Sequence, residues 1–471
     1  MRFMFAGRFV CILLAFASAA AGGGLAYGQQ VRFERFTMPS GLRVLIHRND
    51  HAPVVTVGLM YNTGTNDQPG NLAGIGSVVA AMKTESSPHL SAGQYKKILA
   101  SYGGQGTADI SHDLVFFSDS FSSNMLKGAV WLASEKIRPF TADQAVFDSI
   151  LAVVRDKKDM DVMRQREKEE RALYDMVRTV NLRLSPRMAS YPEGVDMQAA
   201  KQYEALYFSP SNAVLAISGD IDVDSARKYV VEMFASLPPD TLKAEKPTLF
   251  TIDSHVKDSL VTPSGHSIDI GSGILATAPM SSHVDTMYVG ESSESVIFAW
   301  QIPPYEDPQF RVFEFINTVL CSGTGSRLHR RLVEDGDMAA DISTYMMPMK
   351  RASVFGFKVR LRPGYKASDV EGIVEEEIER LRSGNISSAE LKKAVNTSEV
   401  DMWYFISSNQ GMVRALAATE LLYGNANLFN SQTGSLYRIT EDDVRCVAER
   451  FLRGDNMKKI YLVPAPEKSK N

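Results

Sequence analysis

Cysteine is scarce in this chain, and basic residues do not outnumber acidic ones. Three cysteines occur in 471 residues, and loss of the N-terminal leader described below leaves only Cys321 and Cys446. Both lie in predicted helices, which favours buried thiols and leaves a disulfide open. Basic residues number 51 against 55 acidic ones, and removal of the leader shifts the formal charge from -4 to about -6. There is therefore no basic surplus to recruit nucleic acid.

Long apolar runs are also lacking beyond the N-terminus, since no later segment approaches the roughly 20 residues of a membrane span. The N-terminus itself has Arg2 and Arg8, an apolar stretch from Phe9 to Ala21, and the small-x-small sequence Ala26-Tyr27-Gly28. This pattern predicts a signal peptide over residues 1–28. We expect export to the periplasm or the extracellular space.

Hydrophobic periodicity divides the rest of the chain into two similar passes of strands and helices. Such a repeat predicts an α+β fold of two homologous lobes, each a mostly antiparallel sheet with helices packed on it. The predicted boundaries are 29–240 for the first lobe, 241–290 for a linker or insertion rich in Ser, Thr, Asp and Gly, and 291–471 for the second. The first pass includes predicted helices at 71–84 and 92–102 and a strand at 106–118.

Ten short segments, in order along the chain, match one known family. They are Met38–Ile46, Ala52–Val55, Tyr61–Thr65, Gly103–Asp113, Tyr207–Ala213, Gly219–Asp222, Phe234–Pro238, Ser326–Leu328, Ile439–Val444 and Tyr461–Pro464. Together they resemble pitrilysin/insulinase-type zinc metallopeptidases, which include mitochondrial processing peptidase, over nearly the whole mature chain. Function must still be argued from the site.

The zinc motif of that family is absent. In active members a helix carries His-x-x-Glu-His, whose histidines bind zinc and whose glutamate activates water. The resemblance puts Gly74 and Val78 at the histidines and Ser77 at the glutamate. Glycine and valine offer no ligand, and an unperturbed serine is no general base. The third ligand position falls near Asp156, which would be alone, so we expect no zinc and no catalytic residue.

The second lobe departs from the family in the same way. Active members usually carry an Arg and a Tyr that hold the substrate carbonyl against the metal. The resemblance places Val333 and Ala340 at these positions. If the alignment slips, three nearby side chains could substitute: Arg330, Arg331 and Tyr345.

A peptide-binding strand is the other feature that the resemblance implies. Gly103, Gly104, Thr107 and Ala108 correspond to the family's Gly-Gly-x-x-Asn-Ala strand, and we expect extended peptides to bind there by strand addition. The expected partner is a zinc-bearing paralogous subunit, with a homodimer as second choice. The predicted function is thus an exported non-catalytic homologue, either a partner subunit or a peptide-binding scaffold. The alternative is an active zinc metalloendopeptidase with unrecognised ligands.

Two further patterns have structural interpretations. His47 and His51 are four residues apart but flank a predicted turn after a strand, so solvated histidines are favoured over a metal site. The mixed charges of residues 155–171 favour a solvated helix face. Gly74 and Gly76 would each cost about 1 kcal/mol inside a helix, which indicates close packing in a filled former cavity.

Overall fold

The computed structural model confirms the predicted fold class. The leader 1–28 and residues 241–282 of the predicted linker lie outside the described part of the chain. The described residues are 30–68, 72, 74–156, 161–178, 194–238, 283–290 and 293–464.

Two β-sheets form the framework. The first has six strands in the order β1-β2-β6-β3-β5-β4, and the second has five in the order β7-β11-β8-β10-β9. All neighbours are antiparallel except β2 with β6 and β7 with β11. The strands are β1 (Glu34–Thr37), β2 (Arg43–Arg48), β3 (Val54–Tyr61), β4 (Gln105–Ile110), β5 (Val115–Ser122), β6 (Ala213–Gly219), β7 (His283–Val289), β8 (Ser295–Ile302), β9 (Ala339–Met347), β10 (Ser353–Leu361) and β11 (Met457–Pro464).

Helices pack on both sheets. Several begin at side chains that accept a backbone N–H. Thr440, for example, forms a capping box with Asp443 at the start of the last helix. The helices are α1 (Ile75–Lys83), α2 (Gln94–Ser101), α3 (Leu126–Ile137), α4 (Gln144–Asp156), α5 (Asp161–Arg178), α6 (Met197–Tyr207), α7 (Val223–Phe234), α8 (Pro308–Leu320), α9 (Arg327–His329), α10 (Ala367–Arg382), α11 (Ser388–Ile406), α12 (Asn409–Tyr423), α13 (Leu428–Leu436) and α14 (Glu441–Phe451).

The strand predicted at 106–118 is a hairpin. A backbone hydrogen bond from Ser111 N to Leu114 O, 2.8 Å long, closes the turn between β4 and β5. The polar residues His112 and Asp113 form this turn, a position that the apolar pattern did not reveal. Strand β9 was also not predicted, and β7 falls within 241–290, where a small strand insertion was left open.

One helix from each half of the chain packs on the sheet of the other half. Helix α12 packs Val413 and Leu416 against the face of the first sheet that carries Met60. Helix α5 packs Leu173 against the face of the second sheet that carries Ile297. Each sheet therefore has helices packed on both faces, and the lobes share two hydrophobic clusters.

The β4–β5 turn and the β9–β10 turn meet between the lobes. The Lys350 amide, which follows β9, donates a 2.8 Å hydrogen bond to the Asp113 carboxylate, and the Lys350 ammonium group binds Asn62 Oδ1. Asn66 Nδ2 donates to the other Asp113 oxygen at 3.1 Å. This contact and the exchanged helices fix the relative position of the sheets.

Two questions raised by the sequence are also answered. Cys321 and Cys446 are free thiols, the first buried and the second half-buried. Within the described residues, no helix combines the length and apolar character needed to cross a bilayer.

Candidate functional site

Helix α1 begins later than the sequence predicts. Gly74 is its N-cap, in the left-handed region at φ 85° and ψ -4°, and the first helical residue is Ile75. The expectation that Gly74 lies inside the helix is wrong, and so is the helix penalty assigned to it, because glycine adopts a positive φ without steric cost. The two positions aligned with the histidines, 74 and 78, therefore do not both lie within regular helix.

A glutamine side chain packs over the start of α1. Gln68 is 7% exposed, and its Oε1 accepts a 2.6 Å hydrogen bond from the Gly74 amide. A Cβ added at Gly76 would lie 3.0 Å from Gln68 Nε2 and 3.5 Å from the Tyr203 hydroxyl. Tyr203 Oη in turn lies 3.3 Å from Thr63 Oγ1. The neighbours of Gly76 are therefore side chains.

Apolar residues surround the rest of the helix. Val78 is fully buried, in one hydrophobic cluster with Phe147, Leu151 and Val154 of α4. Ser77 is half-buried. Asp156 is the last residue of α4, and its side chain lies outside what the structure describes. Among the described residues, no three His, Cys, Asp or Glu side chains come together in a group that could hold a metal ion.

A buried ion pair at the other end of α1 was missed from the sequence. Lys83 Nζ lies 2.5 Å from Glu204 Oε1 and donates to Arg138 O at 3.0 Å. The same carboxylate oxygen accepts the Phe140 amide at 3.1 Å. Burial lowers the pKa of Lys83, and Glu204 opposes this effect. The pair joins α1 to α6, a role that isolated charges in the sequence do not indicate.

Strand β4 is an open edge of the first sheet, since it pairs only with β5. The Ser111–Leu114 bond fixes which residues face β5, because antiparallel pairing alternates along the strand. Residues 105, 107 and 109 bond to β5. Residues 106, 108 and 110 direct their N–H and C=O groups to the open edge. Ala108 is exposed, so an extended peptide can pair with its backbone.

The predicted peptide-binding residues thus have different roles. The Gly104 amide already donates to Leu99 O at 2.8 Å, and the Thr107 backbone faces β5. Of the four predicted residues, Ala108 alone lies within β4 and directs its backbone N–H and C=O groups to the open edge. Gly106 and Ile110 do the same but were not predicted. The period of two along a strand would have identified them. Gly103, at φ 62°, belongs to the turn before the strand.

Two glycines allow side chains to pack directly beneath this strand. A Cβ at Gly104 would lie 2.1 Å from Phe121 Cε1, and one at Gly106 would lie 1.9 Å from the Tyr95 hydroxyl. Tyr95 donates a 2.5 Å hydrogen bond to Asp119, whose other oxygen binds the Lys136 ammonium group. All three polar side chains are buried, and the charges of Asp119 and Lys136 compensate each other.

The other face of β4 is held by α12. Gln410 Nε2 donates to Thr107 Oγ1 at 3.2 Å and to Ser118 Oγ at 3.1 Å. Arg414 Nη2 lies 2.9 Å from Asp109 Oδ2. Helix α12, from the second half of the chain, therefore holds β4 in place.

In the second lobe, two of the three side chains that could replace the family's Arg and Tyr have other partners. Arg331 pairs with Glu376 and Glu377 at 2.9 and 2.8 Å. The Tyr345 hydroxyl donates a 2.6 Å hydrogen bond to Glu169 of α5. Arg330 is exposed, Val333 is half-buried and Ala340 lies exposed on β9.

His47 is half-buried, whereas the sequence interpretation made it a solvated side chain. Its Nδ1 lies 3.0 Å from Ser218 Oγ, and burial lowers its pKa. His51 is exposed beyond the turn. Ser218 lies beside His47 on the neighbouring strand β6, and this contact is long-range, so the local sequence does not show it.

Comparison with known proteins agrees with this architecture. Residues 194–398 match the family model described as the peptidase M16 inactive domain. The chain is 20% identical over 441 residues to the zinc protease PqqE of Helicobacter pylori, covering 92% of this chain and 93% of that protein.

Solved structures are similar in fold. A protease from Helicobacter pylori superposes with a TM-score of 0.76 at 18% identity, over 93% of this chain and 100% of that one. A peptidase M16 inactive domain from Pseudomonas fluorescens gives 0.74 at 17% identity, over 93% and 99%. At these identities the superpositions establish the fold alone.

Proposed function

Because the chain is a member of the M16 (pitrilysin/insulinase-type) peptidase family, we propose that it is an exported, non-catalytic member that binds extended peptides along β4. Two features together support this proposal. Strand β4 has an open edge, and Gln68 and apolar side chains pack around residues 74–78, where active members carry the zinc motif. Peptide capture by strand addition needs the edge and not the metal.

The edge supplies backbone hydrogen bonds at every second residue. Ala108 lies between Gly106 and Ile110, so loss of its N–H removes one bond in the middle of the set. A net hydrogen bond contributes about 0.5–1.5 kcal/mol, which corresponds to roughly two- to tenfold in affinity. Binding should depend on backbone more than on peptide sequence.

Fluorescence anisotropy with a labelled, unstructured decapeptide tests this site. Ala108→Pro removes the outward N–H without breaking a bond to β5, and we expect it to weaken binding by about tenfold or less. Ala108→Val keeps the N–H and is the matched control. Two peptides N-methylated at alternate residues, one at the odd and one at the even positions, give a second test. The peptide whose methyl groups replace the N–H groups that pair with β4 should bind poorly. Equal affinity of the Pro and Val variants would refute strand addition at β4.

We further propose that the chain functions with a zinc-bearing paralogous subunit, with a homodimer as second choice. An intact fold around positions without zinc ligands supports a retained role in assembly. Purification from native cells, followed by mass spectrometry and light scattering, tests this. Recovery of a monomer without a co-purifying peptidase would contradict it.

Export rests on the leader sequence of residues 1–28. Fractionation of native cells, with N-terminal sequencing of the recovered protein, tests it. A chain that begins near Gln29 in the periplasm or medium is expected. Full-length protein in the cytoplasm would contradict export.

The second candidate is an active zinc metalloendopeptidase. The observation in its favour is that PqqE of Helicobacter pylori is named a zinc protease. A peptidase assay with and without a chelator separates the two candidates. Chelator-sensitive cleavage by the purified chain would favour this second function.

A further inference from the structure

A cavity of about 680 Å³ opens where the β2–β3 turn meets the corner between α11 and α12. None of its lining residues belongs to α1 or β4, so it is separate from the site considered above. The volume falls within the range of about 300–1,000 Å³ typical of small-molecule sites. Its lining combines residues 30–32 and 47–51 with Trp403, Ile406, Ser407 and Met412.

The inner wall of this cavity is apolar. Val31, Ile406 and Met412 are buried members of one hydrophobic cluster, and the half-buried Trp403 packs against that cluster. An indole offers a flat face on which an aromatic ring can stack. This wall therefore suits an apolar, planar body.

The rim of the cavity carries an excess of positive charge. The lining contains two arginines, Arg32 and Arg48, and one acidic residue, Asp50. Asp222, outside the lining, also interacts with the Arg48 charge. Arg48 lies 3.5 Å from Asp50, with both side chains 63% exposed, which makes this a weak surface pair. A guanidinium group can bind a carboxylate through two parallel hydrogen bonds.

Hydrogen bonds hold the walls in place. Asn49 Nδ2 donates to Asn409 Oδ1 at 2.8 Å, and Ser218 Oγ donates to the same oxygen at 3.1 Å. The Val31 amide donates to Asn430 Oδ1 at 2.8 Å. The first lobe, the segment before β1 and the helices of the second half are thus fixed around one space, which lowers the entropic cost of binding.

We propose that this cavity binds an aromatic group that carries a carboxylate, with the ring on Trp403 and the carboxylate at Arg32 and Arg48. Two sources share this chemistry: a free aromatic acid and the C-terminal aromatic residue of a peptide. The proposal does not depend on peptide binding at β4.

Isothermal titration calorimetry of the mature chain tests the cavity with defined probes. We expect saturable binding of 2-naphthoate and binding of neutral 2-naphthamide at least about tenfold weaker. Arg32→Gln and Arg48→Gln should reduce affinity for the acid and leave the amide unchanged, and Trp403→Leu should weaken both. Arg362→Gln, in an exposed pair with Asp337 of the second lobe, is the matched control.

The tetrapeptide Gly-Ser-Gly-Phe, with a free or an amidated C-terminus, distinguishes the sources. Binding of the free-acid peptide identifies a peptide end as a ligand, and binding of 2-naphthoate alone identifies a small acid. Absence of saturable binding by both acids would overturn the proposal. So would equal affinity for 2-naphthoate and 2-naphthamide, or equal affinity of the Arg32→Gln, Arg48→Gln and Arg362→Gln variants for the acid.

Discussion

Gln68 Oε1 lies 2.6 Å from the Gly74 amide nitrogen, and this contact covers the start of α1, the helix that the sequence resemblance aligns with the zinc-binding helix of active members. Gly74 has φ 85°, so the residue aligned with the first histidine precedes the helix. Two ligands four residues apart share a face only in regular helix.

Restoring the motif should therefore fail. Gly74→His, Ser77→Glu and Val78→His together would place a side chain at a left-handed N-cap, which costs about 1–2 kcal/mol, and a second one in a packed core. We expect no chelator-sensitive cleavage of an unstructured peptide and a lower melting temperature. Ser77→Glu alone, at a half-buried position, is the control for stability. Zinc-dependent cleavage by the triple variant would show that the site is still usable.

Gly106 should be intolerant of alanine. The added Cβ would lie 1.9 Å from the Tyr95 hydroxyl and would displace the Tyr95–Asp119 hydrogen bond, for a loss of about 1–3 kcal/mol. Gly372→Ala, in the exposed middle of α10 with open space around it, should instead stabilise by up to about 1 kcal/mol. Urea unfolding of both variants measures the difference, and equal unfolding midpoints would contradict the packing described beneath β4.

Tyr345→Phe should weaken the contact between α5 and the second sheet. It removes a 2.6 Å hydrogen bond to Glu169, a buried carboxylate that also binds Lys358 at 3.1 Å. Hydrogen bonds to charged groups contribute about 1.5–3 kcal/mol, and thermal unfolding should detect this loss. Tyr404→Phe, at a side chain that is 82% exposed, should have no effect. Equal melting temperatures of the two variants would contradict a stabilising role for the Tyr345–Glu169 hydrogen bond.

Acid should remove stability through Glu390. Its hydrogen bond from Arg327, 2.6 Å long, is the main cause that lowers the pKa of Glu390 from 4.5 to about 2. The contribution is therefore complete above pH 4.5 and is lost as pH falls towards 2. Because Glu390 is partly exposed, solvent screening limits this contribution to the free energy of unfolding to on the order of 1 kcal/mol.

The free energy of unfolding in urea, measured from pH 6 to pH 2.5, checks this dependence. Glu390→Gln should be less stable than the native chain at pH 6, and the gap should narrow as pH falls. Glu379→Gln, in an exposed pair with Arg382, should show no such trend. A gap that stays constant with pH would contradict the assignment.

Much of the fold was predictable because its elements have strong local patterns. The sequence pattern predicts a buried strand at Asn212–Ser218 and a helix at Pro308–Leu320, and β6 and α8 match these bounds to within a residue. The turn at His112–Asp113 and strand β9 were missed because polar residues interrupt the apolar alternation there.

The site was predictable only in part. The lack of zinc ligands is evident from residues 74–78, but the packing of Gln68 against Gly74 depends on a left-handed residue that sequence spacing does not reveal. Glu169 was assigned to a solvated helix face and is buried, because its partners Tyr345 and Lys358 lie far along the chain. Long-range pairs of this kind are set by topology and not by local pattern.

The most direct test of the central claim is the zinc content of the purified mature chain. Elemental analysis after dialysis should give well below one zinc per chain, and a chelator should leave the melting temperature unchanged, because Gly74, Ser77 and Val78 provide no ligand set. Near-stoichiometric zinc, whose removal by a chelator lowers the melting temperature, would contradict the account.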